Sequence, residues 1–319
     1  MSQYRNHLPQ LDGRLFLTDG GIETSLIFHD GFELPYFAAF DLLRRPEGRA
    51  ALKAYYERYL AIATADEVGF ILESPTWRAS ADWADKLWLS GDELTAANWA
   101  AIDLMAELRA VHETETTPIV VSGCVGPRGD GYDPGQVMSP EAAAEYHADQ
   151  VRVFAEAGAD MATAITMTNV NEAVGVTRAA QEAGLPVAIS FTLETDGKLP
   201  TGETLEHAIA AVDAATARGP AYFMINCAHP THFDHALADG AAWMSRVRGL
   251  RANASRCSHQ ELNDAPDLDA GNPVELGAEY RDLVARFPHL NVLGGCCGTD
   301  HRHVQEISTA CRARHQAAA

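Results

Sequence analysis

The sequence predicts an α/β protein of the (β/α)8 TIM barrel class, in a single domain over residues 1–319. Three observations carry that expectation: eight short apolar, β-branched runs bounded by turn residues, helical patterns after most of them, and strands apolar enough to be buried on both faces. The strand candidates are Arg14–Thr18, Gly69–Glu73, Pro118–Ser122, Asp160–Ile165, Val187–Phe191, Ala221–Asn226, Val247–Asn253 and Asn291–Gly294. After the first, Leu52, Tyr55, Tyr56 and Tyr59 recur at three-and-four spacing, as on one face of a helix. After the third, Glu141–Ala157 reads as a helix with Ser139 as N-cap, Pro140 at its first position and Gly158 just past its end. Gly184 and Gly219 are expected to close the next two helices in the same way. Eight such units close as a barrel. A doubly wound open sheet, the rival architecture, would carry a GxGxxG turn after the first strand, and DGGIET has two glycines without that spacing.

A length of 319 residues is compatible with one barrel around one core. Apolar residues at 47% and charged ones at 21% are the balance of a globular chain, not of a disordered or membrane-spanning one. The 44 acidic against 24 basic residues give a formal charge of −20, which repels phosphate backbones and anionic lipids; no basic patch offsets it, so neither nucleic acid nor a membrane is expected as a partner. The start, MSQYRNHLPQLDGRLFL, lacks the apolar core of a secretion signal, so a cytoplasmic location is expected. Thiols stay reduced there, and the six cysteines read as free thiols or metal ligands.

In a barrel, residues just past the carboxyl ends of the strands converge on one mouth. Those ends carry Asp19, Gly20, Gly21 and Glu23 (first strand), Glu73 (second), Cys124 (third), Thr192 and Glu194 (fifth), Asn226, Cys227 and His229 (sixth), Asn253 (seventh), and Cys296 and Cys297 (eighth). The irregular stretch Ser255–Gly271 is expected to lie over this mouth. The sixth and eighth strands flank the seventh, so Cys227 is expected close to Cys296 and Cys297. Three thiolates with an open fourth position suit a catalytic Zn²⁺. Adjacent cysteines point to opposite faces of a regular strand, so both can ligate one ion only if the backbone turns there; GGCCGTD supplies Gly294, Gly295 and Gly298 for that turn and Asp300 to cap the next helix. From position alone, inert buried cysteines fit as well. Cys124, Cys257 and Cys311 read as unliganded thiols, His229, His232 and His235 as solvated residues opening an exposed helix, and Glu23 as solvated or capping.

DGGIETSL at the start, INCAHP after the sixth strand, and ELGAEYRDLV followed by LGGCCGTDHRHVQEI at the end resemble the homocysteine S-methyltransferase family, in order over nearly the whole chain. The resemblance implies a barrel holding Zn²⁺ through Cys227, Cys296 and Cys297, with the acceptor thiol in the open position. It implies that the acceptor's amino-acid end lies beside Asp19, Gly20 and Gly21, with backbone amides facing its carboxylate, and that Asn226 lines the pocket. An ordinary thiol is mostly protonated at neutral pH, and Zn²⁺ displaces that proton. Three thiolates keep the bound sulfur electron-rich, so it attacks the methyl of a cationic donor that leaves neutral. The implied reaction is methylation of homocysteine to methionine from a sulfonium (S-methylmethionine or S-adenosylmethionine) or a betaine-like donor, which the acidic mouth and aromatic residues such as Trp77 would attract. One departure stands out. The family's Glu-Thr pair at the end of the fourth strand, whose glutamate binds the acceptor's amino group, is Ile165-Thr166 here. Either Glu73 supplies the missing charge or the acceptor is a different thiol or a selenol.

Overall fold

The computed structural model describes residues 2–265 and 267–316. Met1 and residues 317–319 of the expected domain, and Pro266 of the expected loop, lie outside the described residues. Strands β1 (Phe16–Leu17), β2 (Gly69–Glu73), β3 (Ile119–Val125), β4 (Met161–Met167), β5 (Val187–Thr192), β6 (Tyr222–Asn226), β7 (Val247–Ala252) and β8 (Val292–Gly295) pair in parallel in sequence order. The register Phe16↔Val292 and Leu17↔Leu293 joins β1 to β8 and closes the barrel, which excludes the open sheet. Each strand falls on a segment expected from sequence. The first is shorter than the expected Arg14–Thr18, although its flanks still bond to both neighbours: the Leu15 carbonyl accepts from the Gly69 amide at 3.0 Å and the Thr18 amide donates to the Leu293 carbonyl at 2.9 Å.

Period-two alternation sorts the barrel interior into layers. Near the amino ends, Phe16, Ile71, Val120, Met161, Ala188, Tyr222 and Val292 form one apolar cluster. Two residues further along, the same strands present Thr18, Glu73, Ser122, Thr163 and Ser190, and lateral bonds such as Ser122 Oγ to Thr163 Oγ1 at 2.9 Å replace apolar contact. The opposite faces of the strands, including Phe70, Val121, Ile189, Phe223 and Leu293, pack beneath the helices in a second, larger core. A dry floor therefore supports a polar upper level.

The helix punctuation is largely as expected. Ser139 caps Pro140–Ala157 by accepting from the Ala142 amide, and Gly158 takes φ 92°. Gly184 likewise adopts φ 62°. Gly219 does not: after Leu205–Ala215 the left-handed residues are Ala217 (φ 51°) and Arg218 (φ 60°). Gly219 is instead required by space, since a Cβ there would lie 2.7 Å from Thr177 Cγ2. No helix among the described residues is long and apolar enough to cross a membrane.

Residues 3–10 close the amino-terminal end of the barrel. Asp160, fully buried just before β4, accepts from the amides of Gln3 (2.6 Å), Tyr4 (2.8 Å) and Val121 (2.9 Å), and from Arg109 Nη1 at 2.7 Å. Removing one member of a buried ion pair leaves the other desolvated, at a cost of about 3–5 kcal/mol. Asp160→Ala should therefore lower unfolding free energy by about that amount in urea titrations. A loss under about 1 kcal/mol would show that this carboxylate does not anchor the plug.

Candidate active site

The polar level opens at the carboxyl ends of the strands into a cavity of about 380 Å³, a size suited to small molecules. Asp19, Gly20, Gly21, Glu73, Ile165 and all three expected cysteines line it. Its walls carry six carboxyl groups (Asp19, Glu23, Glu73, Asp130, Asp267, Asp269) against two guanidinium groups (Arg78, Arg251).

Cys227 leaves β6 with φ 52°, a left-handed backbone rare for a side chain of this kind, and its amide donates to the Arg251 carbonyl at 3.1 Å. β8 ends at Gly295, and Cys296–Gly298 turns back on itself: the Thr299 amide and hydroxyl both donate to the Cys296 carbonyl, at 3.1 and 2.7 Å. Only Gly298 uses a positive φ (77°); Gly294 and Gly295 are regular strand residues. A Cβ at either would overlap the hydroxyl of Thr18 or Thr299, so close approach explains these two glycines, not backbone freedom. The three cysteine sulfurs all lie within 4.8 Å of one another, and no histidine or carboxylate joins them among the described residues. In this structure Cys227 and Cys296 are paired as a disulfide across 69 positions, with Cα atoms 5.5 Å apart; Cys297 is a free thiol. Burial pushes the Cys297 thiol up, and a hydrogen bond from Tyr132 works against that shift.

Asp19 is nearly fully enclosed. Its carboxylate binds Arg251 Nη2 at 2.7 Å and accepts from the Tyr55 hydroxyl at 3.0 Å. Burial alone would lower the basicity of Arg251, but Asp19 and Glu73 outweigh it and the guanidinium is held charged. The Gly21 amide, expected to face a carboxylate, donates to the Thr299 carbonyl at 3.0 Å. Asn226, expected to line the pocket, is fully buried and is not among the residues on the cavity wall: its Oδ1 accepts from Ser190 Oγ (2.6 Å) and the Thr166 amide (3.0 Å), and its Nδ2 donates to Thr166 Oγ1 (2.9 Å). Thr166, at φ 65°, sits in a register irregularity of β4, and pairing resumes beyond it at Met167↔Phe191, past the expected end at Ile165.

Several residues depart from their sequence reading. Glu23 lines the cavity, and burial pushes its carboxyl up to about 7. His229 and His232 are buried; burial lowers His229 to about 4, and its Nε2 lies 3.2 Å from Glu279. His232 meets the Arg256 carbonyl at 2.9 Å, so neither is solvated. The segment after β7 does cover the mouth, but it is not wholly irregular: Ser258 and Glu261 form a capping box on a helix, His259–Asp264. The S-x-x-E spacing in SHQE was the available signal. Arg251 was missed because nothing in VRGLRAN marks its side chain as inward.

Residues 16–311 match the homocysteine S-methyltransferase family. The chain belongs to that family. It is 24% identical to homocysteine S-methyltransferase 1 of Arabidopsis thaliana, over 93% of each chain. It is also 24% identical to selenocysteine Se-methyltransferase of Brassica oleracea var. italica, over 92% of this chain and 88% of that one. Its barrel resembles that of the Escherichia coli homocysteine methyltransferase MmuM. The oxidised form of that enzyme matches at TM-score 0.75 with 19% identity, covering 96% of this chain and 99% of the other. The metallated form matches at TM-score 0.69 with 18% identity, covering 98% and 100%. The chain is a methyltransferase.

Glu73 provides a test of the site's electrostatics. Burial raises its carboxyl from an ordinary 4.5 to about 7, partly offset by Arg251, and its Oε2 has no hydrogen-bond partner. The folded chain thus holds this proton more tightly than the unfolded one, so stability falls as pH rises between those two values. Wild type should lose on the order of 3 kcal/mol relative to Glu73→Gln on going from about pH 4 to about pH 8. Urea midpoints for both proteins at the two pH values measure this. A difference that does not change with pH would mean that Glu73 titrates normally.

Proposed function

We propose that the chain is a zinc-dependent S-methyltransferase that moves a methyl group from a sulfonium or betaine-like donor to homocysteine, giving methionine. The observation that carries this reading is the group of three sulfurs on the cavity wall with no fourth protein ligand among the described residues. That donor set suits Zn²⁺ with one coordination position left for a substrate. A fourth protein ligand or a site without a cavity would have favoured a zinc store instead. The disulfide and the metal are alternative uses of the same sulfurs, so the reading applies to the reduced chain. When bound, the ion supplies a thiolate at neutral pH by displacing the acceptor's proton.

The chain's own residues bind and orient the two substrates. The acceptor's amino-acid end lies beside Asp19, Gly20 and Gly21. Ile165 presents only apolar surface, so its ammonium turns to Glu73, a carboxyl on the same cavity without a partner for one oxygen. The acceptor sulfur then attacks the methyl carbon in line, and the electron pair of the breaking bond leaves with the neutral donor remnant. A cationic donor fits the excess of carboxyls. Trp77 has Arg78 4.4 Å over its ring, so Phe28 and Phe37, also on the cavity wall, offer the freer aromatic surface.

A second reading, the same chemistry on another thiol or a selenol, is favoured by Ile165 and by the similarity to a selenocysteine methyltransferase. A panel of thiol and selenol acceptors with S-methylmethionine, S-adenosylmethionine and betaine separates the two. Absence of methionine from homocysteine with every donor, beside turnover of another acceptor, would support the second.

Cys227→Ser should lose bound zinc and methyl transfer together while its circular dichroism stays that of wild type. Full transfer by a zinc-free variant would refute the mechanism. Glu73→Gln should raise the KM for the acceptor about tenfold or more, the value of one charged hydrogen bond, with little change in donor KM. An unchanged acceptor KM would remove Glu73 from the acceptor site.

A further inference from the structure

Each of the three cysteine sulfurs, two of them paired as a disulfide in this structure, has one side-chain hydroxyl or amide within hydrogen-bonding distance. Tyr132 Oη lies 3.4 Å from Cys297 Sγ, Asn226 Nδ2 3.8 Å from Cys296 Sγ, and Thr166 Oγ1 3.9 Å from Cys227 Sγ. The direction of the Asn226 and Thr166 contacts is fixed by their surroundings, and a Cys297 thiolate would accept from the Tyr132 hydroxyl. Asn226 Oδ1 already accepts from Ser190 and from the Thr166 amide, which turns Nδ2 towards the sulfurs. That same Nδ2 donates to Thr166 Oγ1, leaving the threonine's own proton for Cys227. Tyr132 comes from the segment after β3, and its ring stacks at 3.9 Å on His259 from the segment after β7. His259 is itself fixed between the Cys227 carbonyl and Glu194. The hydroxyl is thus held by two loops that meet over the cysteines.

The reaction poses a problem of choice. Cysteine thiolates on one ion are chemically similar to the acceptor thiolate, and all four sulfurs face the same electrophilic methyl. A hydrogen bond to a thiolate draws charge from sulfur, and nucleophilicity falls with basicity. We propose that Tyr132, Asn226 and Thr166 are positioning residues that each direct one O–H or N–H at a cysteine thiolate without transferring its proton, leaving the acceptor's sulfur as the one without a donor, so that the methyl goes to substrate and not to protein. The inference rests on the three cysteines holding the metal. In the reaction it suppresses, the bond from methyl to the donor sulfonium breaks, its electron pair returns to the donor as a neutral thioether, and a cysteine thiolate becomes a neutral S-methyl thioether without any proton moving.

The test uses reduced, zinc-loaded protein and iodomethane, which probes thiolates without needing the donor site; the leaving group is then iodide. Methylation of each cysteine is followed by peptide mass spectrometry, with Cys257, outside the cluster, as the internal reference, and zinc content is measured on the same samples. Tyr132→Phe keeps the ring on His259 and removes only the hydroxyl; it should methylate at Cys297 about tenfold faster than wild type. Thr166→Val should instead expose Cys227. The modified cysteine should therefore follow the donor removed, which a merely structural role would not produce. Zinc-containing variants that methylate no faster than wild type, or at one cysteine regardless of variant, would overturn the donor assignment. A reduced wild type that binds no zinc would overturn both this inference and the metal reading beneath it.

Discussion

Closure of the sheet between β1 and β8 is the constraint on which the site depends. Only in a closed barrel does the register β6–β7–β8–β1 carry Cys227, Arg251, Cys296 and Asp19 to one end and one level. The join is reinforced across the seam: the Gly295 amide donates to the Asp19 carbonyl at 2.9 Å, and Arg251 bridges the Gly295 carbonyl at 3.0 Å to the Asp19 carboxylate. An isolated buried guanidinium would be costly, and here most of its donors are matched. Glycines at 294 and 295 follow from the same closure, because the strand must pass against Thr18 and Thr299.

Beneath that level the apolar layer of Phe16, Ile71, Val120, Met161 and Val292 excludes water from the barrel floor. The low dielectric this creates explains why carboxyls just above it are displaced so far: Glu73 is raised by burial before any neighbour acts. Cys227 shares this buried environment, while Cys296 and Cys297 are only partly buried on the cavity wall. The floor and the electrostatics of the site are two consequences of one packing pattern.

Much of this was legible in the sequence, for reasons that differ by feature. The strands were found because both their faces are buried, giving dense β-branched runs, and the Ser139–Gly158 helix because both of its ends carry cap residues. The convergence of the cysteines followed from strand order alone. What escaped depends on contacts between distant segments. The inward course of Arg251, the place of Glu23 on the cavity wall, the burial of His229 and the packing role of Gly219 have no local signature, because each is decided by a partner far along the chain. The capping box at Ser258 is the exception: its spacing was present, and the polar composition around it masked the helix.

The family's glutamate at the end of the fourth strand and the isoleucine found here are not equivalent even if Glu73 takes over its charge. A carboxylate beside Thr166 would stand next to the hydroxyl that faces Cys227, competing for the proton directed at that sulfur. Ile165 removes that competitor and contributes only apolar wall, while its carbonyl receives the Trp77 indole at 3.3 Å. With Glu73 as the proposed partner of the acceptor's ammonium, recognition of the acceptor on β2 is separated from the wall that carries Ile165 and Thr166, and the oxygen of Glu73 left without a hydrogen bond is free for that role.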